Sequence, residues 1–226
     1  MRRTPWLTGL VAAITLVGLV VQETVPDTLT ALQRSPAALH GELWRWITPL
    51  VVQDGWLAGA VINIGGLLLV GTAAEQVVRR EAWITAYVGS GLVGQVFGHA
   101  WQPVGAGNSV AVCGLAALLV VTLARGRAEP MPLQAFAAAL WCGALASAVW
   151  WPLAIVGSVL AVLANGPARN QRWVPHAVVA FCAGCALVLL LAQDLHGGAL
   201  AVALLVAAAP PVTNWFVLDA DTRAAA

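Results

Sequence analysis

The chain has 226 residues, of which 60% are hydrophobic and 9% charged, and its net charge is +1. Soluble domains carry about 25% charged residues, so this chain has too little charge to cover a water-facing surface. It also lacks the basic face that nucleic-acid binding requires. Composition therefore predicts an all-α integral membrane protein, with the lipid bilayer as its main solvent and no nucleic-acid partner.

Eight apolar segments predict eight transmembrane helices in one membrane domain covering residues 1–226. A hydrocarbon core of ~30 Å requires ~20 helical residues, and tilt or burial within the protein permits a few fewer. A longer apolar stretch, 132–165, is divided into two spans at Pro152. The predicted spans are 5–22, 56–73, 82–99, 108–125, 132–149, 151–165, 174–192 and 197–214.

Charge in the loops predicts the orientation of the spans, because Arg and Lys remain on the cytoplasmic side. Three of the loops predicted to be external, 100–107, 150–151 and 193–196, carry neither. We therefore expect both termini in the cytoplasm, with the protein in the plasma membrane and the long loop 23–55 outside. The basic residues predicted on the inner side are Arg2, Arg3, Arg79, Arg80, Arg125, Arg127, Arg169 and Arg172.

Four cysteines lie inside apolar runs, and two of them form the motif Cys182-x-x-Cys185. Such a motif can bind a metal or act in redox chemistry, but no polar partner lies beside it. A cysteine in this setting is usually a small packing residue, and a metal ion in hydrocarbon needs more ligands. We expect neither a metal nor another cofactor.

The long loop before the second predicted span contains aromatic and polar residues in a distinctive order. Residues 42–49 read Glu-Leu-Trp-Arg-Trp-Ile-Thr-Pro, and the following span carries Asn63 and then Glu75. Trp44 and Arg45 can simply anchor the loop at the membrane interface. Their order with Asn63, however, resembles the rhomboid family of intramembrane serine proteases. In that reading, we expect Trp44 and Arg45 to order the loop against spans two and three.

A glycine-rich sequence at the start of the fourth predicted span carries the decisive resemblance. Residues 103–115 read Pro-Val-Gly-Ala-Gly-Asn-Ser-Val-Ala-Val-Cys-Gly-Leu. This is similar to the rhomboid Gly-x-Ser-Gly motif, with Ser109 matching the nucleophile and Gly107 standing two residues before it. Gly114 matches a further family glycine, whereas Val110 stands where the family has glycine.

The resemblance covers residues 41–214 and is most specific in residues 41–120. It implies a rhomboid-like helical bundle, with a six-helix core to which this chain adds two helices. A serine at a helix N-terminus suits this chemistry, because free backbone N–H groups there can stabilise an oxyanion. The alternative is that Asn108 or Ser109 only caps the helix. Together with the upstream residues, the pattern favours Ser109 as a nucleophile.

The resemblance also implies how the oxyanion is held. Asn63 matches the family asparagine that donates a hydrogen bond to it, and the backbone N–H of Ser109 supplies another. Gly59 stands where the family has a histidine one turn earlier. The sequence therefore lacks one expected donor, and losing a donor typically lowers the rate ~10²–10³-fold.

The family's base is a histidine near the start of its sixth helix, in the pattern His-x-x-Gly-x-x-x-Gly. Predicted span six has Ala154 at that position, whereas span eight has His196 followed by small residues three and seven positions later. Either span eight takes the sixth helix's place, or a six-helix core has lost its base. Ionisable residues at the edge of a span generally have a function, which favours His196. His99 is the second candidate.

The resemblance implies a serine endopeptidase that cleaves transmembrane protein substrates with a Ser109–His196 dyad. The alternative is a catalytically inactive rhomboid-like protein that binds membrane helices, and Gly59 and Val110 favour it. A transporter is disfavoured, because the spans contain almost no buried ionisable residues to relay ions.

Overall fold

The computed structural model describes residues 4–125 and 132–210, and this part of the chain is built from helices. Its eight long helices confirm the predicted all-α fold and agree with the predicted spans to within a few residues at most ends. They are α1 (Trp6–Thr24), α2 (56–75), α3 (Arg80–Trp101), α4 (Ser109–Ala124), α5 (Pro132–Ala146), α6 (Pro152–Asn165), α7 (Trp173–Leu191) and α8 (Leu195–Ala208). Arg2, Arg3 and Arg127, which the orientation prediction uses, lie outside the described residues.

The last helix differs most from its predicted bounds of 197–214. It begins at Leu195 and ends at Ala208, after which Ala209 is extended. The residue before a proline is disfavoured in the helical conformation, and Ala209 precedes Pro210. The helix therefore ends here, and residues 211–214 lie outside the described residues.

Within the residues that the structure describes, three segments are long and apolar enough to cross a membrane by length and composition: Trp6–Thr24, Leu57–Glu75 and Trp173–Leu191. Shorter apolar helices form α4, α5, α6 and α8. With 16 residues, α4 spans ~24 Å, which is less than the ~30 Å of a hydrocarbon core. The loop that leads into α4 therefore lies within the bundle, where Gly105, Gly107 and Asn108 are buried.

Helix α4 is the centre of the bundle. Every residue from Val110 to Leu123 along it is buried. Helices α2, α3, α5, α7 and α8 pack around it, whereas α6 packs mainly on α5 and to a lesser extent on α7. The helix that lies beside α4 and carries a histidine at its start is therefore α8, and α6 is peripheral.

Glycines let these helices approach closely. A Cβ atom on Gly114 of α4 would lie 2.1 Å from the carbonyl oxygen of Ala86 on α3. A Cβ on Gly198 of α8 would lie 2.3 Å from the ring of Phe97 on α3. These contacts fix the spacing of α3, α4 and α8, and the last two of these helices carry the serine and the histidine of the site described below.

We expect Gly114→Ala to destabilise the fold by about 1–3 kcal/mol, because the added methyl group must push α3 and α4 apart. Gly89→Ala on α3 is the matched control, since a Cβ there meets nothing within 4 Å. The control should be neutral or stabilising by up to ~1 kcal/mol. Thermal unfolding in detergent measures both, and equal melting temperatures would contradict this account of Gly114.

A buried carboxylate joins the first two helices at their predicted cytoplasmic ends. Glu75 of α2 accepts hydrogen bonds from the backbone N–H groups of Leu7 and Thr8, at 3.1 and 3.0 Å, and from the Thr8 hydroxyl at 2.9 Å. These N–H groups belong to the first turn of α1, where no intrahelical acceptor exists. Glu75 thereby caps α1 and fixes it against α2.

The Trp-Arg motif stabilises the long loop internally, which differs from our expectation that it orders the loop against spans two and three. Arg45 is buried, pairs with Glu42, and donates to the carbonyl oxygens of Thr30 and Gln33, both at 2.8 Å. The Trp44 side chain is half exposed, and its indole lies 3.3 Å from the Ala31 carbonyl oxygen. The motif contacts loop carbonyls because it lies within a series of short helical turns.

Candidate active site

A different arginine attaches the long loop to the bundle. Arg34 is buried and donates to the Gln95 side chain at 3.1 Å and to the Gln102 carbonyl oxygen at 3.0 Å. Its backbone pairs with Gly105 in an isolated antiparallel bridge. Arg34 thus holds the loop against the end of α3 and against the segment that leads into α4. Sequence analysis missed it, because no motif surrounds it.

Two predicted residues, 87 positions apart in the chain, meet at the N-terminal ends of α4 and α8. The Ser109 hydroxyl oxygen lies 2.8 Å from Nε2 of His196. Both side chains are partly buried. This distance allows the hydroxyl to donate a hydrogen bond to the ring, the starting geometry for general-base activation of a serine.

The other ring nitrogen of His196 has an acidic partner that the sequence analysis did not identify. Nδ1 lies 2.6 Å from Oδ1 of Asp194. An ionised carboxylate only accepts hydrogen bonds, so Nδ1 carries the hydrogen and Nε2 presents its lone pair to Ser109. Asp194 thereby selects the tautomer that a base requires. Its position one residue before α8, a place typical of a capping Asp, was the available sequence signal.

The same carboxylate also caps α8. Oδ1 of Asp194 accepts the backbone N–H of His196 at 2.8 Å. Burial alone raises the pKa of Asp194, but the hydrogen bonds that its carboxylate accepts, chiefly from His196, outweigh this effect, so this pKa lies below its ordinary value. Asp194 is therefore ionised near neutral pH.

The turn between α7 and α8 fixes where this carboxylate lies. Gln193 has a left-handed backbone, with φ of 55°. The N–H of Asp194 donates to the Leu189 carbonyl oxygen at 2.9 Å, and that of Gln193 to Leu190 at 3.1 Å. These two bonds form a Schellman motif. Asp194 thus closes one helix and opens the next, which leaves its side chain little freedom.

Asn63, the predicted oxyanion donor, lies against the loop that precedes Ser109. A Cβ atom on Gly107 would come within 2.7 Å of the Asn63 amide nitrogen, and Gly107 itself has a φ of 133°. The Asn63 amide donates to the side-chain oxygen of Gln53 at 2.8 Å. This bond uses one of the two N–H groups of the Asn63 amide.

Gln53 was not predicted, and two hydrogen bonds fix its backbone. Its backbone N–H donates to the Gln22 side chain, and its carbonyl oxygen accepts from the same amide, both at 2.8 Å. Gln22 therefore ties the end of α1 to the residue that orients Asn63. The sequence gives no signal for this contact, because it joins a residue near the end of α1 to a loop residue and neither belongs to a recognisable motif.

The two departures from the family pattern have local structural explanations. A Cβ atom on Gly59 would lie 2.3 Å from the Asp54 carbonyl oxygen, so the loop backbone occupies the space that a side chain would need. Val110 is buried against α3, where a Cβ on Gly94 would lie 2.5 Å from it. The Val110 side chain therefore packs on α3, while Ser109 contacts α8.

The remaining candidates make other contacts. The ring of His99 lies against Trp46, with centroids 4.8 Å apart. The side chain of Asn108 makes no capping hydrogen bond to α4, and the Ser109 hydroxyl contacts His196. The cysteines in the described residues are free and buried, and Cys182 Sγ lies 3.6 Å from the Ala138 carbonyl oxygen.

Comparison with known proteins identifies the family of this arrangement. A family model described as a Rhomboid domain matches residues 40–194, which include Asn63 and Ser109 and end two residues before His196. The chain is also 30% identical over 92 residues to the Bacillus subtilis (strain 168) protein named "Putative rhomboid protease YdcA", covering 39% of this chain and 45% of that protein. The match thus spans about half of that relative's length. No solved structure matches the chain significantly.

Proposed function

Because this chain belongs to the rhomboid family, we propose that it is an intramembrane serine endopeptidase that cleaves transmembrane protein substrates. The observation that carries the proposal is the 2.8 Å contact between the Ser109 hydroxyl and His196 Nε2. A serine is a weak nucleophile until a base removes its proton. The neutral ring of His196 is oriented to do so, since its other nitrogen donates to Asp194.

The proposed reaction is acyl transfer through Ser109. Its Oγ attacks the carbonyl carbon of the scissile peptide, its proton passes to Nε2 of His196, and the carbonyl π electrons move to oxygen. When the C–N bond breaks, the same proton passes to the leaving nitrogen. A water molecule, deprotonated by His196, then hydrolyses the acyl-enzyme and restores the Ser109 hydroxyl.

The proposed oxyanion site has two donors. Helix α4 begins at Ser109, so the Ser109 backbone N–H has no intrahelical acceptor. Asn63 has one amide N–H that is not used by Gln53. Donors fixed before the reaction stabilise developing charge without reorganising. We therefore assign the oxyanion site to Asn63 and the Ser109 backbone.

The proposed substrates are membrane helices with small or helix-breaking residues near their outer ends. A continuous helix keeps its scissile carbonyls in hydrogen bonds and has no water to replace them in hydrocarbon. Local unwinding near the membrane surface exposes a carbonyl to Ser109. The site lies at the N-terminal end of α4, on the same side of the bundle as the long loop. In this proposal, water reaches Ser109 from that side.

Cleavage in proteoliposomes tests the proposal. The purified protein is combined with two single-span substrates, one with Gly and Pro near its outer end and one with an uninterrupted Leu helix. Mass spectrometry should find products of the first substrate with the wild type and none with Ser109→Ala. Saturable binding of substrate by both proteins without any product would instead support the inactive helix-binding alternative.

We propose that the protein lies in the plasma membrane with both termini in the cytoplasm. A reporter fused after Asn170, between α6 and α7, should therefore read cytoplasmic, because the basic residues of this loop remain inside. A reporter inserted between Trp150 and Trp151 is the matched control and should read external. An external signal after Asn170 would contradict the orientation and the placement of the site on the outer side.

A further inference from the structure

Asp194 has a second contact beyond its capping role. A helix N-cap needs only a hydrogen bond to the first backbone N–H groups, and Asp194 makes one to the N–H of His196. The same oxygen also lies 2.6 Å from the ring Nδ1 of His196. The side chains of Asp194 and His196 are 18% and 21% exposed, so water screens their interaction only in part.

We propose that Asp194 is a positioning residue that acts through His196, making the site a Ser109–His196–Asp194 triad. This inference rests on the proposed protease function and deepens it, because the family resemblance implies only a serine and a histidine. Asp194 accepts the hydrogen on Nδ1 and so selects the tautomer of the neutral ring whose Nε2 faces Ser109, and it stabilises the imidazolium that forms when Ser109 loses its proton. It remains ionised throughout and exchanges no proton itself.

The geometry favours this role over capping alone. The Schellman turn at Gln193 fixes the backbone of Asp194 from the side of α7. The bond to the His196 N–H fixes its carboxylate from the side of α8. The ring of His196 is therefore held between two rigid contacts, Asp194 on one nitrogen and Ser109 on the other.

Asp194→Asn separates the catalytic role from the structural one. Asn is as good an N-cap as Asp, so the melting temperature should not change. The neutral amide no longer stabilises imidazolium and can present an N–H to Nδ1, which selects the wrong tautomer. We expect kcat for substrate cleavage to fall by about 10²-fold or more, given a ~10⁴-fold loss for the equivalent change in a soluble triad. KM should remain unchanged.

A double-mutant cycle provides the readout that a structural role would not produce. In a His196→Ala background, Asp194→Asn should have no further effect on residual fluorophosphonate labelling of Ser109, because the residue through which it acts is absent. Asp194→Ser, which also caps well, should behave like Asp194→Asn. This second variant keeps the test decisive if the first fails to fold.

The outcomes separate the two proposals. Equal kcat in the wild type and Asp194→Asn would overturn the triad and leave the protease function standing. If Asp194→Asn lowered Ser109 labelling equally with and without His196, the triad would also be overturned, because the role of Asp194 would then be purely structural. A wild-type protein that neither cleaves substrate nor reacts with fluorophosphonate would remove the proposed function, and the triad with it.

Discussion

His196→Ala should lower the rate of fluorophosphonate labelling at Ser109, and of substrate cleavage, by about 10²–10⁴-fold. A positioned general base contributes about this much, and an unassisted serine is hardly nucleophilic. The His196 ring lies at the N-terminal end of α8 and is partly exposed, so its removal should leave the melting temperature almost unchanged. Labelling kinetics and thermal unfolding in the same detergent measure both quantities.

His99→Ala is the matched control for this prediction. His99 lies near the C-terminal end of α3, and its ring contacts Trp46. The labelling rate should therefore remain close to that of the wild type. If labelling survives His196→Ala and is lost in His99→Ala, the base lies on α3 and the assignment of His196 is wrong.

Asn63→Ala should lower kcat by about 10²–10³-fold, the usual cost of removing one oxyanion donor. KM should change little, because the lost hydrogen bond forms only as charge develops on the substrate oxygen. Gln53→Ala should produce a smaller loss, since it frees the Asn63 amide to rotate without removing it. Steady-state cleavage kinetics in proteoliposomes separate kcat from KM.

Ile62→Ala is the control on the same helix, because the side chain of Ile62 is exposed on the bundle surface. Its kcat should match the wild type. Equal kcat values for Asn63→Ala and Ile62→Ala would show that Asn63 does not hold the oxyanion. The donors would then have to be backbone groups at the start of α4.

The helices were readable from the sequence because lipid imposes one requirement on every span. Each segment must be apolar, with ~20 residues to cross the hydrocarbon core and fewer where it is buried within the protein. Apolar sequence therefore locates the helices without knowledge of their packing, including the shorter helices α4, α5, α6 and α8. The end of α8 was misplaced because Ala209 and Pro210 have apolar side chains, so hydropathy does not register that the backbone leaves the helix there. The break comes from the proline ring rather than from polarity.

Only part of the candidate site could be predicted from the sequence. Ser109 and Asn63 belong to local motifs, but the contact between Ser109 and His196 depends on which helix packs beside α4. The predicted topology does not separate α6 from α8, because both spans are predicted to begin on the external side, and the choice follows from close contacts such as Gly198 against Phe97. Packing of this kind cannot be read from composition.

Three further residues, Arg34, Gln53 and Asp194, had no motif to identify them. Each acts through a contact that the fold creates: Arg34 with Gln95, Gln53 with Asn63, and Asp194 with the ring of His196. Of the three, Asp194 was the easiest to predict from the sequence, because an Asp immediately before a helix is a common cap. Its second hydrogen bond required knowledge of the turn at Gln193.

The central claim is that Ser109 is an activated nucleophile, and one measurement tests it directly. The folded wild-type protein is incubated with a fluorophosphonate in detergent micelles and digested, and the modified peptide is sequenced by mass spectrometry. We predict a single phosphonylated site at Ser109, absent from Ser109→Ala and strongly reduced in His196→Ala. Folded wild-type protein that carries no adduct at Ser109 after this incubation would contradict the claim.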